Sequence, residues 1–197
     1  MLFRSQSSVN SFDHVLVEGN SAAANADPLV YDMMAAFYTA CSSFIAQNFG
    51  ARKKKRILQT YLICLFYSFI TSLVLGVGIY LARYPFLYLF TSDKAVVEAG
   101  ITRLSIMALS YSASAFMDAS IAASRGLGKT AVPTFVVVMG SCVFRIIWIY
   151  TIFAYFHTIQ SLYILYVFSW GITAIAENIY FFHVYRHTLT GKTESHL

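Results

Sequence analysis

The stretch that most constrains the fold of this chain runs from Ile57 to Leu81 and contains no charged residue. A run of about 20 apolar residues can cross a bilayer, and inside lipid only a helix or a closed barrel satisfies every backbone hydrogen bond. Comparable apolar runs recur along the whole chain. The sequence therefore predicts an all-α fold, a polytopic transmembrane helix bundle with about five spans at residues 28–49, 57–82, 101–124, 132–156 and 162–185.

The composition excludes an ordinary soluble domain. Of the 197 residues, 58% are hydrophobic and 12% are charged, whereas soluble domains carry about 25% charged residues. A soluble fold of this length could not cover so much apolar surface, so the expected partner is a lipid bilayer and not nucleic acid. Cys41, Cys64 and Cys142 lie in apolar segments without metal-like spacing, and we expect no disulfide and no metal site.

Charge alternates between the connections that join the predicted spans. Residues 50–56 read GARKKKR, and the turn after the third span carries Arg125 and Lys129, whereas residues 157–160 contain neither Lys nor Arg. Basic connections stay on the cytoplasmic side of a membrane. We therefore predict a multi-pass protein of the cell inner (plasma) membrane, with both basic connections and the C-terminus in the cytoplasm.

The first span has a start signal in Asp27 and Pro28. Asp is a favourable N-cap, and Pro suits the first helical position because its missing N–H needs no partner there. The sequence therefore predicts Asp27 as the N-cap of this helix. Residues 2–17 are too short and too polar to cross a membrane, and we interpret them as the tail of a preceding helix.

Residues 116–130 read FMDASIAASRGLGKT and partly match a nucleotide-binding loop. That loop needs a glycine five residues before its Gly-Lys pair, so that bare backbone N–H groups can wrap the phosphates. Ala123 occupies that position, and the preceding residues are typical of a helix. We therefore expect a basic turn, broken by glycines, between two helices. Its candidate residues are Arg125, Gly126, Gly128 and Lys129.

Three ionisable residues, Asp118, Arg145 and Glu177, lie inside predicted spans. Each costs roughly 2.5–3.5 kcal/mol at bilayer depth, so such residues face the bundle interior and find partners. Helical rise places all three in the inner half of the membrane. Either Arg145 pairs with one of the acids and only pins the helices together, or the acid left over takes up a proton or cation. Charge alone does not rank the two acids.

Several motifs resemble those of the multidrug and toxic compound extrusion (MATE) family, in the same order and at the same spacing along essentially the whole chain. They are SSFIAQNFGARKKKR (42–56), LFTSDKAVVEAG (89–100), MDASIAASRGLGKTAVP (117–133), FRIIWIY (144–150) and LYILYVFSW (162–170). The resemblance implies that the chain is the C-terminal lobe of a two-lobe MATE fold. Residues 6–25 would then be the end of the seventh helix and the following loop, with a departure from the family pattern at Glu18.

The resemblance also implies a function, namely efflux of organic cations or drugs by antiport. The coupling ion would be Na+ or H+, with no other cofactor, and the two lobes would rock around a central cavity. Of the family's acidic positions, the one on the tenth helix maps onto Asp118. The basic turn at residues 125–129 would be a cytoplasmic hinge held near the anionic inner leaflet.

Two other classes of membrane protein are alternatives, namely a non-transporting fragment and a membrane-embedded enzyme. A truncated, non-transporting membrane fragment would need a missing N-terminal lobe, or self-association, before it could work. A membrane-embedded enzyme would need a nucleophile–base pair or a metal constellation, and the sequence offers none, so we do not expect an enzyme.

Overall fold

The computed structural model describes residues 14–156 and 158–188, without the side chains of residues 109, 159 and 188. The described residues are almost entirely helical, which confirms the all-α prediction. The helices are α1 (His14–Ala24), α2 (Ala26–Gly50), α3 (Lys54–Leu81), α4 (Arg83–Tyr88), α5 (Lys94–Gly126), α6 (Ala131–Phe156) and α7 (Ile159–Thr188).

The lengths of these helices match the thickness of a bilayer. Within the described ranges, four helical stretches are long and apolar enough to cross, namely His14–Gly50, Lys54–Leu81, Ala131–Phe156 and Gln160–His187. Helix α5 makes a fifth if its two arms, joined at a 43° bend, count as one span. Four of the predicted spans lie within one of these helices, and the span predicted at 57–82 runs one residue beyond the end of its helix at Leu81. The chain is a multi-pass membrane protein.

The start predicted for the first span is wrong. Helices α1 and α2 follow each other with only Asn25 between them, in helical backbone geometry, and Asp27 lies inside α2. Pro28 explains the local break, because it has no N–H to donate to the carbonyl of Ala24 four residues earlier. The loop expected in residues 6–25 is helical from His14 onwards, and residues 6–13 lie outside the described part of the chain.

Helix α5 is the centre of the bundle and packs against α1, α2, α3 and α7. It begins at Asp93, whose side chain accepts a hydrogen bond from the backbone N–H of Ala95 at 2.8 Å, as an N-cap does. Small residues on α5 allow neighbouring backbones to approach closely. The buried ones are Ala108, Ser110, Ser114, Ala115, Ala119, Ser120, Ala122, Ala123 and Ser124.

The 43° bend in α5 lies between Ala108 and Ser110, and two contacts are found beside it. The Ser110 hydroxyl donates to the carbonyl of Ile106 at 2.6 Å, and such back-bonding bends helices. On the facing helix, Gly76 of α3 packs directly on the carbonyl of Ala108, so closely that an added Cβ would stand 2.0 Å from that oxygen. The bend divides α5 into two arms, Lys94–Ala108 and Ser110–Gly126, which we call the outer arm and the inner arm after the orientation predicted from the sequence.

Helix α6 is irregular and lies at the edge of the bundle. Two π-helical segments, Met139–Val143 and Ile149–Phe153, interrupt its α-helical turns. It packs mainly on α7, where Gly140 approaches Thr173 closely enough that a Cβ would meet its hydroxyl at 2.0 Å. Large apolar side chains on the outside of α6 are exposed, as expected where a helix faces lipid.

Candidate functional site

Asp118 lies on the inner arm of α5 and lines a cavity of about 430 Å³. Within the described residues, its Oδ2 atom and the hydroxyl of Tyr38 are buried without a hydrogen-bond partner. A carboxylate oxygen with no fixed partner beside a polar cavity can bind a proton or a cation. The other residues that line the cavity are Thr39, Ser42, Ser43, Ile121, Ala122 and Arg125.

Glu177 lies on α7 and is completely buried. It continues a face of the helix that carries Ser169, Thr173 and Phe181 at intervals of four residues. Neither of its carboxylate oxygens has a hydrogen-bond partner in the part of the chain that the structure describes. Because an isolated buried charge is costly, this arrangement also favours uptake of a proton or cation.

Arg125 links the two carboxyl groups electrostatically. It is exposed at the inner end of α5, and its charge acts on both Asp118 and Glu177. Over the described ranges, no nitrogen of Arg125 comes within 4 Å of either carboxylate, since the ion pairs found there are His14–Glu18 and Arg103–Asp27. The cation is therefore near both acids and bonded to neither.

The pairing of Arg145 with one of the acids, which the sequence left open as one of two alternatives, is not found among the ion pairs of the described residues. Its Nε donates to the hydroxyl of Ser169 at 3.3 Å, and its guanidinium lies 4.3 Å from the centre of the Tyr166 ring. Ser169 is eight residues before Glu177 on α7, which is about 12 Å along the helix axis. Arg145 therefore points away from the inner carboxyl groups and does not share a layer with them.

A polar network that the sequence analysis missed joins three helices beside these carboxyl groups. The Tyr61 hydroxyl of α3 donates to Oδ1 of Asn178 at 2.7 Å and lies 3.0 Å from the Ser120 hydroxyl of α5. The Asn178 amide donates in turn to the carbonyls of Phe116 and Ala174 at 3.3 and 2.8 Å. This network fixes the helices next to Asp118 and Glu177. Asn178, directly after a buried acid, was the available signal.

A second missed cluster lies where α2 packs on α5 near the bend. Arg103 Nη2 of α5 contacts Asp27 Oδ2 of α2 at 2.6 Å, and Arg103 Nη1 donates to the carbonyl of Asn20 at 3.1 Å. The Tyr111 hydroxyl donates to the other oxygen of Asp27. The sequence signal was Arg103, a cation only nine residues inside α5.

The basic turn predicted at residues 125–129 is present, and it is a helix C-cap. Gly128 has a φ of +75°, which glycine adopts without strain. The N–H of Lys129 donates to the carbonyl of Ser124 at 3.0 Å, and the N–H of Gly128 to that of Arg125 at 2.9 Å. These two bonds form a Schellman motif. The backbone N–H groups of Gly128 and Lys129 are therefore used inside the cap.

The turn after α2 has the same geometry with a different residue at the critical position. The N–H of Lys53 donates to the carbonyl of Asn48 at 2.9 Å, and that of Arg52 to Phe49 at 3.0 Å. Arg52 has a φ of 56°, a left-handed conformation that is costly for a residue with a Cβ. The C-terminal end of α5 packs on α2, because Gly126 lies against Ser42 and Ile45.

The sequence and the fold of this chain are both similar to those of known membrane transporters. The sequence model of the MatE family matches residues 3–151. Comparison with curated proteins gave no match. The fold is similar to that of the Vibrio cholerae MATE transporter VcmN in its bent form, with a TM-score of 0.83 and 18% identity over 93% of this chain and 42% of that one.

Two further structures give the same result. A mutant of VcmN aligns with a TM-score of 0.81 and 18% identity over 97% of this chain and 42% of that one. A MOP superfamily transporter from Pyrococcus furiosus aligns with a TM-score of 0.73 and 18% identity over 95% of this chain and 45% of that one. The fold is that of one lobe of such a transporter, and the chain spans less than half the length of these proteins.

Proposed function

The chain belongs to the MatE family of membrane transporters, and from this premise we propose that it is the C-terminal lobe of a cation-coupled antiporter that exports organic cations or drugs. Transport by alternating access needs two lobes that rock around a central site. The coupling ion is H+ or Na+, and Asp118 is its first candidate site, with Glu177 as the second. No chemical step on the substrate is required.

The observation that supports this proposal most directly is the state of Asp118. An antiporter needs a group that holds the coupling ion in one state and releases it in another. A half-buried carboxyl group whose Oδ2 is buried without a partner among the described residues, beside a cavity lined by hydroxyls, can do both. Arg125 lies close enough to offer a competing positive charge when the ion leaves.

The proposal requires a second lobe, because the chain covers 42% of VcmN. That lobe is either another part of the same protein or a second copy of this chain. The alternative is a fragment that folds but does not transport. Reading the DNA upstream for an in-frame segment that encodes about six more spans separates these possibilities.

The test is transport by the complete protein in lipid vesicles, with the sodium and pH gradients varied separately. We expect Asp118→Asn to abolish coupled efflux while the protein still inserts in the membrane. Asp32→Asn is the matched control, because Asp32 is an exposed acid on α2 that lies away from the cavity, and it should transport normally. Undiminished efflux by the Asp118→Asn variant would exclude Asp118 as the coupling site.

Orientation is tested independently of transport. We propose that the basic turns and the C-terminus face the cytoplasm, because residues 52–56 are all basic. A membrane-impermeant amine reagent should modify Lys53 and Lys55 only after cells are opened. Labelling of these two exposed lysines in intact cells would reverse the orientation.

A further inference from the structure

The Asp27 carboxylate contacts helix α5 on both sides of its bend. One carboxylate oxygen accepts a hydrogen bond from Arg103, which lies on the outer arm. The other accepts a hydrogen bond from the hydroxyl of Tyr111, which lies on the inner arm. Arg103 and Tyr111 are eight residues apart, about 12 Å along a straight helix. Their long side chains converge on one carboxylate of α2, which therefore connects the two arms.

Burial makes these contacts strong and keeps them in place. The side chain of Arg103 is 9% exposed and Tyr111 is fully buried, whereas Asp27 is 31% exposed. In a low-dielectric setting, losing one partner of such a pair leaves an uncompensated charge, which destabilises the fold. The outer arm cannot leave Asp27 without a replacement partner for Arg103.

The pair is not needed merely to join the helices. Helices α2 and α5 already pack closely elsewhere, since a Cβ on Gly126 of α5 would stand 2.7 Å from the carbonyl oxygen of Ser42 of α2. An apolar pair at residues 27 and 103 would serve that packing as well, since buried ion pairs can be replaced by hydrophobic residues without loss of stability. What the ion pair adds, together with the hydrogen bond from Tyr111, is a restraint on the angle between the two arms of α5.

We propose that Asp27, with Arg103 and Tyr111, is a clasp that sets the bend of α5 and so positions Asp118, which the inner arm carries. The clasp acts through α5 and does not touch the coupling ion, so the three residues are positioning residues. That the position of Asp118 matters for ion binding rests on the proposed function. The effect of the clasp on the bend is independent of transport.

The bend is measured by pulsed electron paramagnetic resonance on the complete protein in lipid vesicles. Spin labels go on Glu98, exposed on the outer arm, and on Leu81, exposed at the outer end of α3, in a background with the native cysteines replaced by alanine. Glu98 and Ala108 are about 15 Å apart along the arm, so a 15° change in bend moves Glu98 by about 4 Å.

Two variants open the clasp by different routes. Tyr111→Phe removes the inner-arm contact and leaves the ion pair intact, and Asp27→Asn combined with Arg103→Gln removes the ion pair without leaving an unpaired charge. We expect both to shift or broaden the distance by several ångströms. Asp27→Glu, which keeps two acceptor oxygens, should retain the original distance, and so should the control Asp32→Asn. An unchanged distance in the Tyr111→Phe variant would overturn the clasp.

The second readout is the cation concentration that gives half-maximal efflux, measured in the same variants. We expect a shift of threefold or more in Tyr111→Phe and none in Asp32→Asn. If the distance shifts and this concentration does not, Asp27 sets the bend without positioning Asp118, and that part of the proposal is wrong. If the protein does not transport at all, the distance measurement still decides whether the clasp exists.

Discussion

Gly76→Ala should destabilise this protein although it adds only one methyl group. The Cβ of an alanine at this position would stand 2.0 Å from the carbonyl oxygen of Ala108. Ordinary contact begins near 3.4 Å, so α3 and α5 would have to separate by about 1.4 Å (3.4 − 2.0). No side-chain rotation relieves the clash, because the obstacle is the backbone of the neighbouring helix.

The magnitude follows from two opposing effects. Overpacking of a tight contact costs about 1–3 kcal/mol, and a backbone obstacle places this site at the upper end. Replacing glycine by alanine inside a helix returns about 0.8–1.0 kcal/mol. The net loss is therefore about 2 kcal/mol, which corresponds to a decrease in Tm of about 4–8 °C for a chain of this size.

Gly78→Ala is the matched control, two residues further along the same helix. In the described part of the chain, nothing lies within 4 Å of the Cβ that it would add. It should gain the helix propensity alone and raise the Tm by about 2–4 °C. The assay is thermal unfolding of the purified protein in detergent, followed by circular dichroism. A Gly76→Ala variant that melts at or above the Gly78→Ala variant would refute the close approach of α3 and α5.

Two further predictions concern the turns and Arg145. Arg52→Gly should raise the free energy of unfolding by about 1 kcal/mol and Gly128→Ala should lower it by about as much, because both residues have a left-handed backbone. Denaturant titration measures both changes. Unfolding midpoints equal to that of the unmodified protein would contradict the Schellman geometry. In a double-mutant cycle, Arg145→Leu and Ser169→Ala should couple by about 0.5–1 kcal/mol, whereas Arg145→Leu and Glu177→Gln should be additive. Coupling between Arg145 and Glu177 with additivity between Arg145 and Ser169 would instead support the ion pair that the sequence left open.

The residues of the site that could be predicted from the sequence are the ionisable ones, because they stand out within apolar segments. Asp118 and Glu177 are acids among apolar or small residues, and each is costly there, whatever the surrounding fold. The turn at Gly126 and Gly128 was also predictable, because glycine ends helices through a specific backbone conformation. Both inferences need only local sequence.

The partners of these charges could not be predicted, because they depend on how the helices cross. Asp27 before Pro28 has the local pattern of an N-cap, and only the packing of α2 on α5 brings it to Arg103. The direction of Arg145 depends on the π-helical segments on either side of it, which no local residue pattern predicts. Spacing predicts which residues share a helix face only while the helix stays regular.

The two π-helical segments of α6 change the direction in which the side chains that follow them project from the helix axis. Each π-helical segment accommodates one residue more than an α-helical turn would, and one residue corresponds to about 100° of rotation. Across both segments the phase is displaced by about 200°, so side chains before Met139 and after Phe153 face nearly opposite directions compared with an unbroken helix. A scan of lipid accessibility along α6 should therefore give three short stripes, each offset from the last, where a regular helix gives one.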